Sequence, residues 1–219
     1  MKRLILTRDQ IYEKERQAYE KFCIPPLILM ESAGRAVALE VQRVLKANKK
    51  NRVVVISGPG NNGGDGMVTA RYLHCWGFSV VTFTIFDPGQ AKEPAFTNYK
   101  ILVKMNLVLN EFTDDIFFCE LRKSGLIVDA IFGIGLSREI RGRARQIIEA
   151  INNAGKYVIS ADIPSGIDAD TGETYGVAVK ADRTITFGFG KKGLYTEQGR
   201  NYAGKIKIVD IGFPPELYD

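Results

Sequence analysis

Asn61, Asn62 and Asp65 stand inside the run Gly58-Pro59-Gly60-Asn61-Asn62-Gly63-Gly64-Asp65-Gly66. That run separates the apolar stretch Val53 to Ile56 from a segment, Met67 to Trp76, that reads as a helix. A strand ending in such a turn and feeding a helix N-terminus leaves backbone N–H groups free to hold an anion, usually a phosphate. Gly58, Gly60 and Gly63 satisfy the dinucleotide spacing G-x-G-x-x-G, which many unrelated tight turns share because they need φ > 0. Asp65 sharpens the reading. A bare carboxylate beside a pyrophosphate would repel it, so either Asp65 turns away onto backbone amides or hydroxyls, or a cation lies nearby.

Two further carboxylates close apolar strand runs: Asp129 in Asp129-Ala130-Ile131-Phe132-Gly133-Ile134-Gly135, and Asp162 in Asp162-Ile163-Pro164-Ser165-Gly166. An unpaired charge there is costly, so each must bind backbone donors in a turn or serve a ligand. Both face a glycine loop that offers Asn62, with Ser165 at hand, and a binding site explains the set better than two separate turns. Asn and Ser oxygens, a carboxylate and backbone carbonyls are hard ligands for Na⁺, K⁺, Mg²⁺ or Ca²⁺, with no soft ligand for zinc. Such a cation would answer the repulsion at Asp65. Gly133 to Glu139 is a second small-residue loop; Arg138 and Arg141 could reach a phosphate or ribose from it, although Arg138 has Glu139 and Glu149 as competing surface partners. His74, the only histidine, sits inside a helical segment and reads as structural, which excludes a Ser-His-Asp hydrolase built on it; Ser165 also lacks a G-x-S-x-G setting. Asp168 to Gly172 begins like a calcium loop but does not complete the pattern, and reads as a turn.

The elements that must position these residues alternate. Strands are expected near Val53 to Ser57, Val80 to Phe86, Leu107 to Leu109, Leu126 to Phe132, Tyr157 to Asp162, Thr184 to Gly188 and Lys205 to Asp210. Helices are expected near Met67 to Trp76, Pro94 to Met105, Thr113 to Ser124 and Arg141 to Asn153, the last with Ala144, Ile147, Ile148 and Ile151 at helical spacing. This alternation is the signature of a mostly parallel, doubly wound sheet in a three-layer αβα Rossmann-like sandwich. In the common order 3-2-1-4-5, the loops after the first, fourth and fifth strands meet in the crevice at their carboxyl ends, where such sheets bind ligands. Ahead of the first strand lies a two-helix extension. Thr7 and Gln10 form a capping box for a helix ending near Cys23 before Pro25-Pro26, and Leu29 to Ala47 follows with Met30, Ala33, Val37, Val41 and Val44 on one face. That extension is a lid, a dimer contact or simple packing on the sheet. No repeat or linker divides residues 1–219, which read as one domain.

Composition sets the class. A chain of 219 residues, 45% hydrophobic, can bury a full core. The formal charge of +5 gathers at Lys46, Lys49, Lys50 and Arg52, at a predicted helix end where cations favour the dipole, so a solvated face is expected and not a nucleic-acid patch. Cys23, Cys75 and Cys119 are odd in number and sit among apolar neighbours, as reduced core cysteines would. Met1-Lys2-Arg3 precedes only a short apolar run, and no stretch has membrane-spanning length, so a soluble cytoplasmic protein is expected.

Taken together the motifs resemble those of the NAD(P)H-hydrate epimerases, the YjeF N-terminal type. The resemblance rests on Met30-Glu31-Ser32-Ala33-Gly34, the Gly58 to Gly66 loop, Val128 to Gly133, Gly135 to Gly142, Asp162 to Gly166 with Asp170-Thr171-Gly172, then Thr186-Phe187-Gly188, Lys191 and Gly193-Leu194. Ile134 stands where the family often has threonine, and Gly190 where it often has proline. The resemblance implies interconversion of the R and S hydrates of NADH and NADPH (NADHX and NADPHX), feeding a separate S-specific dehydratase. By matching positions it implies a K⁺ site, one ion per subunit, from Asn62, Asp129 and Ser165. It implies substrate contacts from Asn61, Asn62, Gly63, Gly64 and Asp65, from Gly133, Ile134, Gly135, Leu136, Ser137, Arg138 and Glu139, and from Asp162. Asp162 is the expected acid/base; Lys191 would assist it or bind phosphate. The two N-terminal helices suggest a homodimer.

Two other classes compete. An NAD(P)-dependent dehydrogenase would use the glycine spacing with Asp87 as its ribose acid, although Asp87-Pro88-Gly89 reads equally as a turn and no Tyr-Lys or His-Asp pairing is evident. A non-catalytic dinucleotide-binding or interaction module would reuse the same sheet. So many polar groups at one crevice argue against a bare scaffold.

Overall fold

The computed structural model describes residues 4–87, 90–108 and 113–219. Its strands are β1 Ile5–Leu6, β2 Arg52–Ser57, β3 Ser79–Thr84, β4 Leu126–Ala130, β5 Val158–Ala161, β6 Arg183–Phe187, β7 Gly190–Lys191 and β8 Lys205–Val209. The helices are α1 Arg8–Phe22, α2 Pro26–Ala47, α3 Asn61–Cys75, α4 Ala95–Lys104, α5 Asp114–Lys123, α6 Gly142–Asn153 and α7 Glu197–Ala203.

Six strands pair in the order β3-β2-β4-β5-β6-β8, every pair parallel. Alternation along β2 divides the core between two layers, as a sheet covered on both faces requires. Val53 and Val55 join α2, α3 and Leu102 of α4 on one side. Val54 and Ile56 join Phe117 and Leu121 of α5 and Ile147, Ile148 and Ile151 of α6 on the other. This is the expected three-layer sandwich, and β2, β4 and β5 are neighbours as the 3-2-1-4-5 order requires. The expected strand at Leu107 to Leu109 is reduced to a bridge between Val108 and Thr82, beside β3; Leu109 lies outside the described residues. Met1-Lys2-Arg3 and the Pro88-Gly89 half of the turn after Asp87 lie outside them too.

Local chemistry explains most boundaries. Thr7 Oγ1 accepts from Gln10 N–H and Gln10 Oε1 from Thr7 N–H at 2.9 Å, the capping box of α1. Pro26 opens α2 at a first-turn position, where its missing N–H has no helical partner to lose. Met30, Ala33, Val37, Val41 and Val44 are all buried, so α2 is a full member of the sandwich layer rather than an appendage. Gly34 lies directly on α3, whose Thr69 hydroxyl donates to its carbonyl at 3.0 Å.

Helix α3 begins at Asn61, six residues before the Met67 expected from sequence. Glycine is a poor helix former, which is why the run reads as a turn, but tertiary packing overrides propensity here. A Cβ on Gly63 would lie 1.8 Å from the Gly58 carbonyl oxygen, and one on Gly58 would lie 1.9 Å from that of Ile131. Only bare backbone lets the first turn of α3 sit down on the loops after β2 and β4. The cysteines also differ from expectation: all are free, but Cys23 and Cys75 are exposed and Cys119 half-buried, because they fall on helix ends and outer faces instead of the core. Two elements gave no usable sequence signal. The pair β1 and β7 is only two residues long in each strand, and α7 is a seven-residue helix capped by Thr196.

One buried carboxylate locks α2 to the far side of the sheet. Glu40 is 2% exposed and accepts from Arg43 at 2.6 Å, Arg183 at 2.8 Å and Lys207 at 3.1 Å. Burial tends to raise its carboxyl, but the hydrogen bonds from Arg43 and Lys207 and the charges of Lys207 and Arg183 outweigh it, and the pKa is lowered. Arg43 and Lys207 are more than half exposed, although Arg183 is mostly covered, so the lock is partly screened and worth less than a fully dry network. Glu40→Ala is expected to cost about 2 kcal/mol, read by urea denaturation at pH 7. Because the folded pKa is depressed, the contribution is complete above the ordinary glutamate range and lost as pH falls through the folded value. The wild-type advantage over the variant should therefore shrink at pH 3; an equal gap at both values would remove the charge from the explanation.

Candidate active site

At the carboxyl ends of β2, β4 and β5 lies a cleft of about 620 Å³, within the ~300–1,000 Å³ common for small-molecule sites. One wall is the first turn of α3. Its N-cap, Gly60, supplies no side-chain hydrogen bond, so the leading amides remain open toward an anion. Asn61 is exposed at the cleft, whereas Asn62 and Asp65 are buried along it. Gly63 and Gly64 do not line the cleft. Gly63 is spent on the contact with Gly58, and Gly64 lies against Met30.

The loop after β4 forms the facing wall with Gly133, Ile134, Gly135, Leu136, Ser137 and Arg138. Both competing partners of Arg138 are taken: Glu139 accepts from Arg141 at 2.6 Å and Glu149 from Arg145 at 2.9 Å. Among the described residues Arg138 thus has no ion pair, and its guanidinium stands at the cleft. Glu139 itself, expected on the substrate, turns away to Arg141.

Asp162 follows β5 with φ of 63°, the left-handed region that a non-glycine residue enters at a cost. Its flanks close a three-residue turn, Ile163 N–H donating to the Ala161 carbonyl at 2.8 Å. The side chain meets Lys191, delivered by β7. Lys191 is 2% exposed, and its ammonium donates to Asp162 Oδ1 and, at 3.0 Å, to the Phe187 carbonyl. Phe187 N–H and the Thr186 hydroxyl donate to the same Oδ1, at 3.1 and 3.3 Å. Among the described residues Oδ2 has no donor, and it is the oxygen left for a ligand. Buried against this carboxylate, Lys191 is not placed as a phosphate arm.

Asp129 lies beneath the cleft, fully buried. The register setting it opposite Ser160 gives it the Ser160 hydroxyl at 2.7 Å; the Ser165 hydroxyl and N–H donate at 2.5 and 2.9 Å. Burial raises its carboxyl, and the bonds from Ser165, Ser160 and Ile131 offset only part of that. Contacts run onward: Ser165 Oγ accepts from Phe132 N–H at 2.8 Å, and a Cβ on the next residue, Gly133, would lie 3.1 Å from Asn62 Cβ. The Asn62 amide is buried, and neither its oxygen nor its nitrogen has a partner. An orphaned amide beside a buried carboxylate and a serine is a set of hard oxygen donors that fits an alkali cation.

Sequence reasoning placed α1, with a lid among its possible roles, but named no site residue on it. Ile11, Tyr12 and Glu15 line the cleft from above, and Tyr12 Oη reaches Gly135 closely enough that a Cβ there would lie 3.1 Å away. Burial in the cleft, with the Asp162 charge, pushes the Glu15 carboxyl up to about 7 against the opposing pull of Lys191. Asp65 is raised well above the aspartate range by burial and by Asp162 and Glu15, with Lys191 again opposing. Asp65 does not turn onto backbone amides or hydroxyls: it accepts no hydrogen bond from the described residues, and its raised pKa weakens its repulsion of a phosphate. Glu15 gave no signal in sequence, since a glutamate at an exposed helix position is the common case. Asp168 to Gly172 is the expected turn. Asp168 Oδ1 accepts from Asp170 and Thr171 N–H at 2.9 and 2.8 Å, and Asp170 takes the Arg8 N–H at the start of α1 at 2.7 Å. His74 is exposed, away from the cleft, and so is not part of it; Asp87 does not line it either.

The family model for the YjeF-related protein N-terminus matches residues 26–193. The NAD(P)H-hydrate epimerase of Limosilactobacillus fermentum is 39% identical over 211 residues, covering 94% of this chain and 95% of that protein. The enzyme of the same name from Limosilactobacillus reuteri is 40% identical over 209 residues, covering 95% and 96%. The bifunctional NAD(P)H-hydrate repair enzyme Nnr of Thermofilum pendens is 39% identical over 208 residues; the match takes in 94% of this chain but only 39% of that longer protein. In fold, the crystal structure of yeast ynu0 (YNL200c) superposes with a TM-score of 0.79 over 97% of this chain and 91% of its own, at 23% identity. By the extent of the family match and by these relatives, the chain belongs to the YjeF-related N-terminal family.

Proposed function

We propose that this chain interconverts the R and S hydrates of NADH and NADPH, as one epimerase domain over residues 1–219. The observation that carries the reading is the buried Asp162–Lys191 pair, held in strained backbone at the edge of a dinucleotide-sized cleft in a chain whose relatives are named for this reaction. A binding module has no use for a strained, desolvated ion pair beside an open carboxylate oxygen. The dehydrogenase reading loses its ribose acid, since Asp87 stands outside the cleft lining.

In this reading the phosphates lie on the open amides of Asn61 and Asn62, with Arg138 facing them from the β4 loop. The hydrated ring lies toward Asp162. Its hydroxyl is on the carbon beside the ring nitrogen, so the nitrogen lone pair can expel it once it is protonated. Asp162 Oδ2 is the group placed to transfer that proton and to take one from the water that returns; Lys191 fixes Oδ1 and with it the orientation of the carboxyl group. Asn62, Asp129 and Ser165 would hold one K⁺ per subunit. Such an ion would supply positive charge to these loops and to the anionic substrate. An S-specific dehydratase would consume the product. Free cysteines suit a cytoplasmic enzyme.

Three outcomes test this reading. Followed by chromatography, wild-type protein should speed conversion of the R-hydrate of NADH to the S-hydrate above the uncatalysed rate. Asp162→Asn should lower that rate by ~10²–10⁴ with the circular dichroism of a folded protein retained; a variant at the wild-type rate would remove Asp162 from the chemistry. Melting temperature and rate should both be higher in potassium chloride than in choline chloride, and Asn62→Ala should abolish that difference; indifference of the wild-type protein to the cation would sink the ion site. Tyr19, Leu27, Ile28 and Leu39 leave apolar surface exposed on α1, α2 and their junction, which supports a homodimer through this face. Light scattering should then give twice the 24.4 kDa chain mass, and a monomeric mass would overturn it.

A further inference from the structure

We propose that Glu15 is a second acid–base residue of the reaction, acting on the face of the ring opposite the Asp162–Lys191 pair. The proposal rests on the epimerase reading. Epimerisation through a planar iminium requires water to leave from one face of the ring and enter on the other. With Asp162 alone, one carboxylate would have to serve both events from one face; a second proton-transfer group on the other side removes that need. The cleft holds two carboxylates from other elements: Asp65 of α3, closed in at 7% exposure, and Glu15, which is exposed to the cleft and so open to a ligand. Asp162 and Lys191 are delivered from the sheet edge, whereas Glu15 hangs from α1, which roofs the cleft.

Three observations support this role. Ile11 is 2% exposed and lines the cleft together with Glu15, one turn further on, whose side chain stays exposed to it. Among the described residues Glu15 makes no hydrogen bond or ion pair, so no structural bond accounts for a carboxylate there. The groups that face it are Asp162, Lys191 and Asp65 across the cleft and Tyr12 on its own helix. Their balance, with burial dominant, brings its carboxyl to about 7, so both protonation states are present near neutrality.

The steps balance without any added reactant. Protonated Glu15 gives its proton to the hydroxyl on its face, and the C–O bond breaks to release water while the ring nitrogen lone pair forms C=N⁺. Water then adds from the other face, its O–C bond forming as the C=N⁺ π pair returns to nitrogen, and its proton passes to Asp162 Oδ2. Glu15 is then ionised and Asp162 protonated, the state from which the opposite epimer runs the same steps in reverse; proton exchange of both carboxyls with solvent water restores the first state.

Hydrates of NADH labelled with ¹⁸O in the hydroxyl distinguish this role from a structural one. Wild-type protein should interconvert the epimers and wash the label out of both. Glu15→Gln, which keeps the size of a side chain that bonds nothing, should retain the wild-type melting temperature and lose interconversion by ~10²-fold. It should still exchange the hydroxyl of one epimer with solvent, and Asp162→Asn should exchange that of the other epimer instead. Interconversion by Glu15→Gln at the wild-type rate, or equal loss of exchange from both epimers in that variant, would overturn the assignment to Glu15 and leave the epimerase reading standing. Interconversion by wild-type protein without label loss would overturn the iminium route and this assignment together. Failure of the wild-type protein to interconvert the hydrates would overturn the proposed function itself, and Glu15 with it.

Discussion

An ammonium group that is 2% exposed cannot stand in a protein interior without a carboxylate, and much of this site follows from that requirement at Lys191. Removing one partner of such a pair costs about 3–5 kcal/mol, enough to constrain everything that carries it. Asp162 must reach back to Lys191, and it does so by accepting a left-handed backbone at the end of β5. Lys191 must be held under the cleft, and it is held by β7, whose strand partner among the described residues is β1. The same two-residue pairing fixes where α1 starts. The ion pair therefore positions one cleft carboxylate directly and a second, Glu15, through the helix it anchors.

Backbone contact is the second constraint. The loops after β2 and β4 come together only because Gly58 and Gly63 present no side chain, each passing a carbonyl oxygen at a distance that no Cβ tolerates. The Gly58 N–H then donates to the Ala130 carbonyl at 3.0 Å, which carries the β2–β4 ladder one residue past its strands. This closeness lets Asn62 lie against Gly133 while Phe132 bonds Ser165. Residues separated by about a hundred positions thus share one contact chain over Asp129, with no side chain longer than asparagine needed to span it.

How much of this was legible in sequence depends on the range of the force involved. Strand and helix periodicity is local, so the sandwich, the strand order and the meeting of three loops could be read directly from residues such as Val53 to Ile56 and Ile147 to Ile151. The start of α3 could not, because glycine propensity is local and the contacts that override it come from Gly58 and Ile131. Glu139 was misplaced for a similar reason: nothing nearby in sequence says that Arg141 will claim it and leave Arg138 open. The cysteines were read from their apolar neighbours, which on a helix surface point elsewhere. Asp129 and Asp162 were singled out at strand ends and Lys191 by the resemblance alone, yet the pairing of Asp129 with Ser165 and of Asp162 with Lys191 needed the fold.

The N-terminal roof was the least legible part, and Gly190 explains why it matters in this chain. Its N–H donates to the Leu4 carbonyl at 2.8 Å, the bond that begins the pairing of β1 with β7. A proline, which the resemblance makes frequent at this position, has no N–H to give. The glycine thus ties the N-terminal strand to the segment bearing Lys191, while Asp170 takes the Arg8 N–H at the first residue of α1. With the start of the helix held at two points, Tyr12 and Glu15, one and two turns further on, are fixed over the cleft without any side-chain bond of their own. A substitution that changes no side chain in the site can in this way decide how firmly its roof is held.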